Sequence, residues 1–357
     1  MSPYDHLPPR AFWKSGVAEA LPDSLFDIYD RKFAISPDDV IATAGSCFAQ
    51  HIGRQLKNRG FHVLDAEPPP VGLPKVDHLR FGYSTYSARY GNIYTTRQLL
   101  QLCQECLSVW TPTEEAWVGP QGWHDAQRPN IEPAGFSTLA ELRALRRYHL
   151  ACVKRMFIEM DIFIFTLGLT EAWEDSAETT VFPTAPGVIA GTYAADRYRL
   201  KNFSFSEVVH DFEEFVSLVS RLRGDRPPVR YLLTVSPVPL TGTASGNHVL
   251  AATARSKAVL RAAADQIAES NPYTDYFPSY EIITNPAARG AWFHDNLRSV
   301  TPEGVDAVMK VFFHHHGSQS PQETEQQSPP PSKAALFEGP PVIDVVCEEM
   351  LVERFLR

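Results

Sequence analysis

The sequence predicts an α/β protein, a sandwich of helices around a mostly parallel sheet. From residue 38 onward, short β-branched and apolar runs alternate with stretches of helical period, and each strand-like run ends in a loop. Strands that alternate with helices in this way are the mark of an α/β sandwich.

The elements follow in order. Residues 1–36 are an irregular, Pro-containing lead expected to pack on the core. The run 39–44 is the first strand and closes on Ala44-Gly45. Phe48 to Arg59 follows as a helix, with Ile52 and Leu56 at i, i+4 spacing, and Gly60 stops it. "FHVLDA" at 61–66 reads as a second strand. A polar, Tyr-rich segment, "FGYSTYSARYGNIYTT", then leads into a helix at 96–109. "DIFIFTLGLTEAW", "VRYLLTVSPVPL" and "YTDYFPSYEIIT" are further strand-like runs, preceded by helices at 138–157, 206–222 and 250–269. The connections 110–137 and 174–205 are unusually long and rich in Trp, Tyr, Pro and Gly, so they are either lids over a site or surface decoration. A last helix spans 303–313 and ends the main domain, 37–316. Beyond it, 317–340 is a disordered linker by composition. Residues 341–357, "PVIDVVCEEMLVERFLR", carry enough apolar side chains to dock on the body or on a protein partner.

Composition narrows the function classes. The chain has 357 residues, 44% of them hydrophobic and 21% charged, which suits a protein that buries a core. A net charge of -9 argues against nonspecific binding to nucleic acid. No stretch of about 18 apolar residues could span a bilayer, and the start "MSPYDHLPPRAFWKSG" has no signal-peptide core. Five scattered cysteines are not a disulfide framework. These features point to the cytoplasm.

In open α/β sheets ligands gather at the carboxyl ends of the strands. Those ends carry Gly45-Ser46-Cys47, Gly168-Leu169-Thr170-Glu171 and Ser236-Pro237. His294, Asp295 and Arg298 stand ahead of the last helix. Gly45 permits a tight turn, and Cys47 then opens a helix, where the unsatisfied N–H groups and the dipole favour a thiolate and can hold an oxyanion. Against this stands the plain alternative that Cys47 is a buried small residue. Cys103 and Cys106 form a C-x-x-C within a helix-like run, with no second pair to complete a zinc site. No metal site is expected, and His314-His315-His316 reads as a solvated helix end. Trp173 and the tyrosines of 83–94 are either core or the wall of a sugar-binding groove.

"GSCFA" at 45–49 resembles the motif of the GSCFA family, as do "YGNIYT" (90–95), "TLGLTEAW" (166–173), "LTVSPVPL" (233–240) and "SKAVLR" (256–261). That family is distantly related to the GDSL (SGNH) esterases and acyltransferases, so the resemblance implies a flavodoxin-like three-layer α/β/α sandwich. The superfamily's Gly-Asp-Ser block lines up with Gly45-Ser46-Cys47. Cys47 thus takes the place of the nucleophile and Ser46 that of the aspartate. Its oxyanion glycine corresponds to Gly91, with Asn92 beside it, and its Gly-x-Asn-Asp block to Gly168 through Glu171, with Thr170 in the asparagine's place. The Asp-x-x-His block is met by Asp295 but has Arg298 where the base histidine is expected. His294 or His248 would then supply the imidazole, Glu171 would act as a base or orient Arg298, and Arg298 would lower the thiol pKa or bind an anion. The implied activity is acyl-ester chemistry on a sugar or glycan-type substrate, with no cofactor required and acyl-CoA as a possible co-substrate. The other expectation is a degenerate fold that binds carbohydrate or protein without catalysis.

Overall fold

Side-chain alternation along four central strands sorts the core into two layers. In a computed structural model, which describes residues 2–177, 179–317 and 348–355, strands β1 (Ile41–Gly45), β4 (Ile162–Leu167), β8 (Arg230–Val235) and β9 (Thr274–Tyr276) form one parallel sheet. Their order is β1-β4-β8-β9. Ile162 and Ile164 of β4 face one way, with Ile41 and Leu232, into helices α1 (Phe48–Asn58), α6 (Ser279–Thr284) and α7 (Pro302–His316). Phe163 and Phe165 face the other way, with Tyr231 and Leu233, into α2 (Thr96–Cys106), α3 (Leu139–Glu159), α4 (Phe205–Arg223) and α5 (Val249–Ser270). This is the three-layer α/β/α arrangement the sequence predicts, because a strand buried on both faces is apolar at every position.

Three elements differ from the sequence prediction. "FHVLDA" is reduced to a single parallel bridge, Val63 to Ile41. The rest of the outer edge of β1 is taken by the Tyr-rich segment, where the Thr43 amide donates to Ser87 Oγ (3.0 Å) and the Ile93 amide to the Gly45 carbonyl (2.9 Å). The run "DIFIFTLGLTEAW" splits at Gly168-Leu169-Thr170. Its second half, β5 (Glu171–Asp175), leaves the main sheet and pairs antiparallel with β6 (Val181–Phe182) and β7 (Tyr198–Asn202). "YTDYFPSYEIIT" yields only the short β9 before α6. The long connections are therefore not structureless: 174–205 supplies β6 and β7, and 110–137 folds as a hairpin, β2 (Ala116–Val118) with β3 (Trp123–Asp125).

The lead is tied down at its end by Leu25, Tyr29 and Ile35, while Tyr4, Leu7, Phe12 and Trp13 are exposed. Here His314 is exposed, as the solvated-end expectation has it, but His315 and His316 are a correction to it. His316 is only 2% exposed and contacts the Tyr29 hydroxyl at 3.1 Å, and that hydroxyl donates to Asp275 (2.7 Å). His315 Nε2 lies 2.7 Å from the Phe26 carbonyl. Helix α7 carries these rings inward because the lead packs across its last turn. The predicted linker beyond Gly317, and residues 341–347, lie outside the described residues. Among the described residues no helix is long and apolar enough to cross a membrane.

Burial holds His316 near a pKa of about 3, with Arg31 and His315 adding to the shift. Burial likewise holds His51 near about 4, with Arg54, and His149 near about 4, with Arg128. An unfolded histidine titrates near 6.5. Between about pH 4 and 6.5 the unfolded chain therefore binds protons that the native one does not, and stability falls as the pH is lowered through that window. The expected slope is about 1.4 kcal/mol per pH unit for each such histidine. Thermal melts of wild type and His316→Gln from pH 7.5 to 4 check it: the variant should show the shallower slope, and parallel curves would refute a role for His316.

Candidate active site

The joint between β1 and α1 is closed by a glycine that no other residue can replace without movement. Gly45 has φ +135°, and a Cβ there would stand 2.4 Å from the Thr166 carbonyl oxygen. The close approach lets the Ser46 amide donate to that same carbonyl at 3.1 Å. Cys47 is already helical (φ -52°, ψ -29°) and opens α1. Ala49 and Gln50 amides donate back to the Ser46 and Cys47 carbonyls, whereas the Phe48 amide has no acceptor among the described residues. A first-turn amide of this kind carries the positive end of the helix dipole. Cys47 is 6% exposed and Ser46 is 3% exposed, and the Ser46 hydroxyl makes no hydrogen bond among the described residues.

The Tyr-rich segment forms the adjoining wall. The Tyr94 carbonyl accepts from the amides of Gly168 (3.1 Å) and Leu169 (3.0 Å), and a Cβ on Gly168 would lie 3.0 Å from Ser46 Cβ. Gly168 is thus small because two backbones meet a side chain there. The Tyr86 hydroxyl lies 3.1 Å from the Ser46 carbonyl and against the side-chain carbonyl of Asn92. Gln50 Nε2, one turn into α1, donates to both the Tyr86 hydroxyl and Asn92 Oδ1 at 3.2 Å. Gly91, at φ +71°, makes the turn that presents Asn92 to this cluster.

Beyond Gly168, polar groups converge from β7, α5 and the 240–244 loop. The Thr170 amide donates to Ser256 Oγ (2.9 Å), and its hydroxyl donates to Asn202 Oδ1 (2.8 Å). Arg255 also bonds Asn202 Oδ1. The Glu171 carboxylate accepts from Thr243 Oγ1 (2.7 Å) and Asn202 Nδ2 (3.3 Å), so Thr243 and Asn202 hold it in place of the expected Arg298.

Lys257 is the residue that sequence reasoning missed. It is 1% exposed, and its Nζ donates to the Gly168 carbonyl at 2.7 Å. A signal was present: Lys257 lies at helical spacing from Leu260, Ala264 and Ile267, the buried face of α5. A lysine on an apolar face is buried with a partner or it is an error in the pattern.

The imidazoles do not fall where they were expected. His294 and Asp295 are exposed on a turn closed by Asn296, whose Oδ1 accepts the Arg298 and Ser299 amides at 3.0 and 2.9 Å. That turn sends Arg298 inward, 8% exposed, and leaves the His294 ring in solvent without a hydrogen bond among the described residues. His248 is exposed and spends its Nδ1 lone pair on the Leu250 amide (3.2 Å) as the cap of α5. His51, four residues beyond Cys47 on α1, packs its ring on Phe48 (5.9 Å). Among the described residues no group of three or more His, Cys, Asp or Glu is arranged to hold a metal ion. Cys103 and Cys106 are buried within α2, with the Cys106 thiol 3.1 Å from the Cys103 carbonyl.

A cleft of about 290 Å³ begins at Leu169 and Glu171 and runs between Trp173, Leu200, Val188 and Leu240. A larger groove of about 650 Å³ lies between the N-terminal lead and residues 281–287 and shares no residue with this rim.

No curated protein and no solved structure matches this chain. The profile of the GSCFA family does match, over residues 40–312, from the foot of β1 into α7, and so spans the whole parallel sheet, the β1–α1 joint and the Lys257 helix. The chain is a member of the GSCFA family.

Proposed function

We propose that this protein is an acyl-ester enzyme of SGNH-like descent, an acyltransferase or esterase whose nucleophile is the Cys47 thiol. The observation that carries the proposal is the placement of Cys47 on the first turn of α1, at the carboxyl end of β1, with its neighbours pinned by Gly45 and Gly168. The thiolate attacks the acyl carbonyl and forms the C–S bond. The Phe48 amide faces the developing oxyanion, and the buried Lys257 ammonium adds positive potential at the same rim. The C–O or C–S bond to the leaving group then breaks, and the acyl group stays on Cys47 until a hydroxyl or water attacks it and frees the thiolate.

Arg298 stands where the superfamily has its base histidine, and His294 nearby faces solvent. A cysteine tolerates this better than a serine, being a few per cent thiolate near neutrality. The arrangement favours donors whose leaving group is a weak base, a thioester such as an acyl-CoA or an aryl ester, over alkyl esters. Intact mass spectrometry after brief exposure to p-nitrophenyl acetate, acetyl-CoA or ethyl acetate tests this. An acetyl adduct is expected with the first two donors, absent with the third and absent from Cys47→Ala. Adducts at equal rates on wild type and Cys47→Ala would remove Cys47 from the chemistry. The second reading is a binding module of the same fold, acting on a carbohydrate or protein. The inward Arg298 and solvent-facing His294 favour it, and no turnover with any donor would support it.

A further inference from the structure

The cleft beside Gly168 is apolar along most of its length and polar at one end. Ala172, Trp173, Leu200, Val188 and Leu240 make its walls, and Glu171 and Thr243 stand at the rim end, already bonded to one another. A sugar in such a cleft would lose hydrogen bonds to water and find few replacements, whereas a hydrocarbon chain would lose none. The cleft starts at Leu169, the residue after the glycine that abuts Ser46.

An apolar side chain from the far end of the sequence already lines it. Residues Glu348–Phe355 form a short 3₁₀ segment. Val352 from this segment lines the cleft, its Cγ1 3.3 Å from the point where a Cβ of Gly242 would stand. Among the described residues the segment is held loosely. Arg354 donates to the Gly187 carbonyl across a long 3.4 Å, and Leu351 and Phe355 are 37% and 57% exposed. We infer that the cleft receives the acyl chain of the substrate and that residues 348–355 are a displaceable plug, Val352 standing where acyl carbons bind. This deepens the acyl-ester reading and rests on it for the substrate's identity.

Titration calorimetry with sodium decanoate on full-length Cys47→Ala protein separates binding from chemistry. Adding Val352→Asn should tighten decanoate about tenfold, because a larger fraction of molecules then has an open cleft. Adding Ala185→Trp to that double variant fills the cleft at a half-buried position and should weaken binding about tenfold or more, with an unchanged circular dichroism spectrum. Equal affinities with and without Val352→Asn would overturn the plug, and binding that survives Ala185→Trp would overturn the site. Decanoate bound by Cys47→Ala, with no acetyl adduct on wild type, would keep the cleft and remove the acyl-enzyme. An adduct without decanoate binding would do the reverse.

Discussion

Gly45→Ala is expected to destabilise the protein by about 4 kcal/mol and to abolish any chemistry at Cys47. Two costs combine. The backbone is at φ +135°, a region that only glycine occupies readily, and the new methyl would meet Thr166 backbone atoms at 2.4, 2.7 and 2.9 Å. Thr166 cannot yield, because it is bonded in the centre of the sheet between β1 and β8. The control is Gly60→Ala, also at positive φ (+80°) but with nothing within 4 Å of the added carbon. It should cost only about 1–2 kcal/mol, the left-handed penalty alone. Urea unfolding of both variants makes the comparison, and equal losses would show that the contact with Thr166 relaxes. For the site the consequence is direct: pushing β1 from β4 moves Ser46 away from the Thr166 carbonyl and turns Cys47 off the rim.

Arg146→Met is expected to cost about 3–5 kcal/mol. Arg146 sits 6% exposed between two buried carboxylates. It donates to Glu105 (2.7 Å from Nε) and to both oxygens of Asp125 (2.7 and 2.8 Å). Burial alone would raise the Asp125 pKa, but Arg146 and Arg128 outweigh it and hold the carboxyl well below the usual range. Methionine keeps the volume, strands Glu105 and leaves Asp125 with Arg128 alone (2.7 Å). The sign with pH follows. The stabilisation that Asp125 contributes in wild type is complete above its unfolded pKa of about 3.9 and is lost at lower pH. The gap between wild type and Arg146→Met should therefore narrow towards pH 3.5 and be widest near neutrality, and urea unfolding at both values checks it. A gap that does not change with pH would mean that packing, not charge, is lost. The network continues to the site: Arg128 donates to the Arg89 carbonyl (2.9 Å) and the Arg89 amide to Glu67 (2.9 Å). That fixes the segment whose Ile93 and Tyr94 close on Gly45 and Gly168.

Most of the helices were legible because their signals are local. Thr95 with Gln98 and Ser204 with Glu207 form capping boxes that start α2 and α4, Thr301-Pro302 starts α7, and Ile52 and Leu56 mark one buried face. The strands were legible where apolar residues run unbroken, as in β4 and β8. What failed was the edge: "FHVLDA" has the composition of a strand, but a strand needs a partner, and the Tyr-rich segment competes for the same edge of β1. "EAW" reads as a continuation of β4, yet it turns into a second sheet, because Gly168 and Leu169 give their amides to Tyr94 and end the ladder.

For the site, sequence alone determined the joint. A glycine between a buried strand and a helix, followed by Ser46 and Cys47, allows few backbone paths, and the thiol must open the helix. It also placed Gly168 through Glu171 at the end of a strand and so on the rim, while the sheet order made that strand the neighbour of β1. Only the tertiary structure decided which charges face that rim. His294 and Asp295 turn outward because Asn296 closes their loop, and His248 is used as a helix cap. Glu171 is taken by Thr243 and Asn202, while Lys257, nearly 90 residues from Gly168, donates its ammonium to that glycine's carbonyl. The physical reason is range. Backbone conformation and helix polarity are set within a few residues, whereas the partner of a buried charge is set by whatever distant segment the packed layers bring against it.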